Sequence, residues 1–100
     1  MPIETFPYDT ARYLDTDDAV AAYIEAVLED GDPALVAEAI GVVARARGMS
    51  EIARETGLSR ESLYRSLSKQ GNPEFATILK VLKAVGVRLS ATPGALSDRA

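Results

Sequence analysis

Apolar residues recur at helical spacing in three separate stretches of this chain. Val20, Tyr23, Ile24, Val27 and Leu28 follow one another at i, i+3, i+4, i+7 and i+8. Leu35, Val36, Ala39, Ile40 and Val43 form a second stripe, and Phe75, Ile78, Leu79, Leu82 and Val85 a third. Each stripe is bounded by residues that start or stop helices. Thr16 is an N-cap, with Asp17 and Asp18 in the first turn where the helix dipole favours anions. Gly31 stops that helix, and Asp32-Pro33 starts the next, with Asp as the cap and Pro at N1. The second helix is expected to run to about Arg47, where Gly48 ends it. Gly71-Asn72-Pro73 reads as a turn, and Gly86 fits the C′ position of the last helix.

The ends of the chain read differently. Pro2 and Pro7 make Met1 to Tyr8 extended or irregular, and Asp9 to Leu14 is long enough for one short helical turn. Val87 to Ala91 reads VRLSA, an alternation of apolar and polar residues that signals a short strand. Such a strand would have no partner in its own chain. Pairing with a second copy through Val87 and Leu89 would satisfy it and make a two-fold dimer. A short helix or a loop lying against the core is the alternative reading. Residues 93–100 read as a flexible tail.

Between the second and third stripes lies MSEIARETGLSRESLYRSLS, Met49 to Ser68. It reads as a helix-turn-helix. Ile52 and Ala53 sit where the first helix meets the second, and the small Ala53 lets them approach closely. Gly57 falls where the turn needs a residue that tolerates positive φ. Leu58 plugs the core after the turn, and Ser59 is an N-cap. Arg60, Glu61, Ser62, Tyr64 and Arg65 then occupy the start and exposed face of the second helix, where such motifs reach base edges. Two positions depart from the usual pattern. Met49 stands where many of these motifs carry a phosphate-contacting Gln. Ser66 stands where an apolar residue is common, with Leu67 beside it to fill the core. The competing reading is two amphipathic helices joined by a glycine turn.

The 100 residues suit a single domain with a modest core, and 47% apolar with 26% charged residues is ordinary for a globular chain. No apolar run is long enough to span a bilayer and no leader pattern opens the chain, so a cytoplasmic protein is expected. There is no cysteine and no histidine. A disulfide framework and a thiolate metal site are excluded, and the commonest general base is missing. Asp17/Asp18 and Asp30/Asp32 sit at helix starts or turns, where capping accounts for them. Neither an enzyme, a metal nor a cofactor is expected.

The net charge of −4 suits a DNA binder only once it is divided along the chain. Residues 1–44 hold ten acids and one base, giving −9; residues 45–100 hold ten bases and five acids, giving +5. Phosphate binding needs local positive charge rather than a basic average. The acidic half points either to a basic protein partner or to ordinary solvation of helix faces. An acidic extension over residues 1–31, a helix-turn-helix domain over residues 32–92 and a tail over 93–100 are expected. The extension would be either packed on the core or partly free.

The stretches FPYDTARYLDTDDAVAAYIEAVLEDGDPAL and ARARGMSEIARETGLSRESLYRSLSKQGNPEFATILKVLKAVGVRL, in this order, resemble a known family. The chain looks like the antidote (antitoxin) proteins of bacterial addiction modules, those with an Xre-like helix-turn-helix paired with RelE/HigB-like toxins. ARETGLSRESLYRSLS and GNPEFATILKVLKAVG are specific in combination, and the likeness covers about residues 4 to 92. It implies an all-α, five-helix-type, lambda-repressor-like DNA-binding fold with an acidic N-terminal helical extension. It also implies a type II toxin-antitoxin function. The protein would neutralise a small basic toxin by direct binding, and as a homodimer would repress its own operator in double-stranded DNA. A stand-alone Xre-type transcriptional regulator is the alternative, and a helix-turn-helix used only for protein contact is a third reading.

Roles follow by position. Arg60 and Arg65 are the first candidates for base or phosphate contacts, since Arg bridges guanine O6 and N7. Ser59, Ser62 and Tyr64 add hydrogen bonds or apolar contact, unless Tyr64 is buried against Phe75. Glu61 either accepts from cytosine N4 or pairs with Arg65 at i+4. Arg45, Arg47, Ser50, Arg54 and Lys69 are expected on phosphates. The toxin surface is expected between Phe6 and Glu29, with Phe6, Tyr8 and Tyr13 as aromatic anchors and Asp17 and Asp18 as anions. Tyr23 is better suited to the core.

Overall fold

Residues 14–94 are described by a computed structural model, and they form five helices. These are α1 (Asp17–Asp30), α2 (Pro33–Arg47), α3 (Met49–Thr56), α4 (Arg60–Ser66) and α5 (Phe75–Ala84). The helix starts follow the capping chemistry. Thr16 Oγ1 accepts the Ala19 N–H at 3.1 Å, and Asp32 Oδ1 accepts the Ala34 N–H at 3.0 Å ahead of Pro33. α5 ends in a Schellman arrangement. The Gly86 N–H donates to Lys83 O at 3.1 Å and the Val87 N–H to Leu82 O at 2.9 Å.

α2 runs against α1, α3, α4 and α5, so it is the scaffold of the fold. α3 packs on both α2 and α5, while α4 packs on α2 and α3. One core joins all the helices. Val20 and Ile24 from α1, Ile40 and Val43 from α2, Ile52, Leu63, Leu67, Val81, Leu82 and Val85 are all buried in it. The acidic first helix is therefore packed on the core rather than free. Leu14, just before it, is buried in the same cluster.

Three expectations are corrected. No strand occurs among the described residues, so Val87 to Ala91 is irregular. The alternation in VRLSA is real, but its apolar face is spent within the chain. Val87 and Leu89 are half-buried against the core, and the Val87 N–H is already bonded in the helix end. The last stripe is also shifted. Its buried line runs through Val81, Leu82 and Val85 with Ile78 half-buried, while Phe75 is 65% and Leu79 45% exposed. Leu28 and Leu35, on the edges of the first two stripes, are exposed as well. The expected turn over Asp9 to Leu14 lies almost wholly outside the described residues.

The tightest constraint is at Gly41, in the middle of α2. A β-carbon there would overlap the Leu67 carbonyl oxygen and meet Leu67 Cβ at 3.2 Å. Only glycine lets α2 come this close to the end of α4. Helix propensity alone would make Gly41→Ala stabilising by up to about 1 kcal/mol. The backbone overlap outweighs this, because overpacking that shifts main chain costs roughly 1–3 kcal/mol or more. Gly41→Ala is expected to lower the thermal midpoint by about 5 °C or more. A raised midpoint in a calorimetric scan would show that the two backbones can separate without cost.

Candidate nucleic-acid interface

α3, the turn 57–59 and α4 are built from local chemistry. Met49 and Ile52 face inward from α3, at 5% and 1% exposure. Met49 is thus a core residue, which explains the apolar side chain where a phosphate-binding amide was looked for. Gly57 ends α3 at φ 78°, and its N–H donates to Ala53 O at 2.9 Å. The Thr56 hydroxyl donates to Ile52 O at 2.8 Å and accepts from the Leu58 N–H at 3.3 Å, so it ties helix to turn. Thr56 was not singled out from the sequence, although a hydroxyl residue before the turn glycine is a signal of this kind.

Ser59 then starts α4. Its Oγ accepts the Ser62 N–H at 3.0 Å, and its carbonyl accepts the Leu63 N–H at 3.0 Å. Leu63 and Leu67, four residues apart, are both fully buried. This fixes the phase of the helix. Arg60, Glu61, Tyr64 and Arg65 fall on the opposite side, exposed, and line one shallow surface depression. The Ser66 hydroxyl donates to Ser62 O at 2.9 Å, so a polar residue is accommodated while Leu67 fills the core.

Tyr64 is 40% exposed and Phe75 more so, which sets aside the reading that the two bury each other. No ion pair joins Glu61 to Arg65 among the described residues, which leaves the carboxylate and both guanidiniums of this face open to a ligand. Ser62 is half-buried, and Ser50, Arg45 and Lys69 are exposed around the motif.

Two of the expected phosphate contacts are engaged within the chain. Arg54 pairs with Glu51 one turn away. Arg47 Nη2 donates to Asp17 Oδ1 at 2.7 Å, and its Nε is buried with no partner among the described residues. Arg47, expected on DNA, and Asp17, expected on a toxin, are therefore partners of each other. They stand thirty residues apart, beyond the reach of any local pattern. Asp18 is exposed beside them. Phe6, Tyr8 and Tyr13 lie outside the described residues. Tyr23 is half-buried, in keeping with a core role. Burial raises the pKa of its phenol, the Glu38 carboxylate adds to the rise, and Arg45 opposes it.

Among the described residues no cluster of acids could hold a metal ion, and no helix is long and apolar enough to cross a membrane. The arrangement offers a cationic, hydrogen-bonding helix face on a rigid two-helix frame. Because one side-chain cap holds the start of α4, Ser59→Ala is expected to cost about 1 kcal/mol in urea unfolding, and Ser59→Asp much less. An unchanged midpoint for the alanine variant would show that the cap does not hold the helix.

A family model described as "Probable addiction module antidote protein" matches residues 4–93. An uncharacterized protein of Haemophilus influenzae is 43% identical over 81 residues, which cover 81% of this chain and 84% of that relative. No solved structure matches. The family match takes in all five helices as well as the acidic N-terminal stretch, and on it the chain belongs to the family of probable addiction module antidote proteins.

Proposed function

We propose that this protein is the antitoxin of a type II toxin-antitoxin module that acts at two faces. One face binds and neutralises a small basic RelE/HigB-like toxin. The other reads the module's own operator and represses its transcription, in the cytoplasm and as a homodimer.

The observation that carries the DNA half is the phase of α4. Leu63 and Leu67 point into the core, so Arg60, Glu61, Tyr64 and Arg65 point out together. A guanidinium on such a helix can take guanine O6 and N7 in the major groove, and a phenol or carboxylate beside it can discriminate neighbouring bases. Arg45, Ser50 and Lys69, exposed around the motif, suit phosphate contacts that set register. The Xre-like reading of this helix pair rests on the same placement of cap, turn and outward cations.

Membership of an antidote family implies a toxin partner. The −9 charge of residues 1–44 suits a basic one, since opposite charges steer and orient the encounter. A dimer would match the two half-sites of an operator. Phe75 and Leu79, adjacent on α5 and both exposed, offer an apolar face for a second copy in place of a strand, which does not occur among the described residues.

Each bidentate arginine contact is worth about 1–3 kcal/mol. The Arg60→Ala, Arg65→Ala pair is therefore expected to weaken operator binding by roughly 100-fold or more while leaving the helical circular dichroism spectrum intact. Affinity unchanged in a fluorescence anisotropy titration would reject α4 as the reading helix.

A further inference from the structure

A groove runs between α1 and the irregular segment after α5. Ile24 and Leu28 of α1 and Val87 and Leu89 of the segment form its apolar floor, and Glu25 and Glu29 form the α1 wall. Leu28 is 43% exposed there. Folding accounts for the acids at the start of α1 but not for these. Asp17 and Asp18 lie in the first turn, where the dipole favours them. Glu25 and Glu29 are like charges four residues apart, an arrangement that destabilises a helix. Glu29 and Asp30 occupy the last turn, which holds no base, so they face the negative end of the dipole. None of the three is in an ion pair with another described residue.

An exposed leucine framed by carboxylates that weaken their own helix fits an outside partner of opposite charge. We propose that this groove is the docking surface for a cationic, amphipathic segment of the toxin. Its apolar side chain seats over Leu28 and Leu89, and its Lys or Arg residues face Glu25 and Glu29. Arg88 on the far wall takes a carbonyl or carboxylate of the same segment and fixes its direction. The proposal rests on the antitoxin reading. It places the centre of the interface at the C-terminal half of α1, away from Asp17, which Arg47 already holds.

The test uses the full-length chain and the purified toxin of its own module, titrated calorimetrically at physiological salt. Glu25→Lys with Glu29→Lys is expected to weaken toxin binding by about 30-fold or more. The same variant keeps its thermal midpoint, because one like-charge pair replaces another while a lysine at position 29 suits the negative end of the dipole. Glu25→Gln with Glu29→Gln, which keeps the shape of the wall, weakens binding by about tenfold. Glu55→Lys, an exposed charge reversal away from the groove, stays within about threefold of the parent. Parent-like affinity in both groove variants overturns the groove and leaves the antitoxin reading standing. Failure of the unaltered chain to bind the toxin overturns that reading, and the groove with it.

Discussion

The contact between Gly41 and the Leu67 backbone is the constraint on which the rest of the structure depends. It brings the scaffold helix α2 against the end of α4 at a distance no side chain permits. A glycine inside a helix costs about 1 kcal/mol relative to alanine. The close approach offsets this, since it lets Leu63 and Leu67 reach full burial, worth about 1.5–3 kcal/mol each. Once both leucines are buried, the rotation of α4 about its axis is set. The outward direction of Arg60, Glu61, Tyr64 and Arg65 follows from that rotation and from nothing at the surface itself.

Features governed by neighbours in sequence could be read directly. The caps at Thr16, Asp32 and Ser59, the turn at Gly57 and the span of α2 depend on bonds within a few residues, and all occur where the pattern places them. The exposed face of α4 was legible for the same reason. Features that depend on tertiary partners were not. The stripe of α5 contains apolar residues on more than one side, and periodicity alone does not say which side meets α3 and α2. The structure buries Val81 and leaves Phe75 and Leu79 open. VRLSA shows one apolar face, which a strand or an arm lying on the core would show equally. Gly41 gave a weak signal as a glycine inside a helical pattern. The Asp17–Arg47 pair gave none.

That pair changes how the division of charge is understood. The acidic and basic halves of the chain are not two free surfaces. Among the described residues an ion pair joins them where the first turn of α1 meets the last turn of α2. An exposed ion pair contributes less than about 1 kcal/mol and is screened by salt. Its larger effect is on availability, because it withdraws one guanidinium from the cations around the motif and one carboxylate from the acidic face. The positive charge left around the helix-turn-helix is then carried by Arg60, Arg65, Arg45 and Lys69, and the negative charge left on α1 lies toward Glu25 and Glu29. The two proposed functions on a chain of 100 residues call for faces that do not compete, and this distribution of charge is compatible with that.

The claim at the centre of the account is that α4 reads duplex DNA. Footprinting the purified chain on the promoter of its own module tests it most directly. The account predicts protection of two half-sites about one helical turn apart, lost as salt is raised. Uniform or absent protection, at concentrations where the chain holds its toxin, would contradict it.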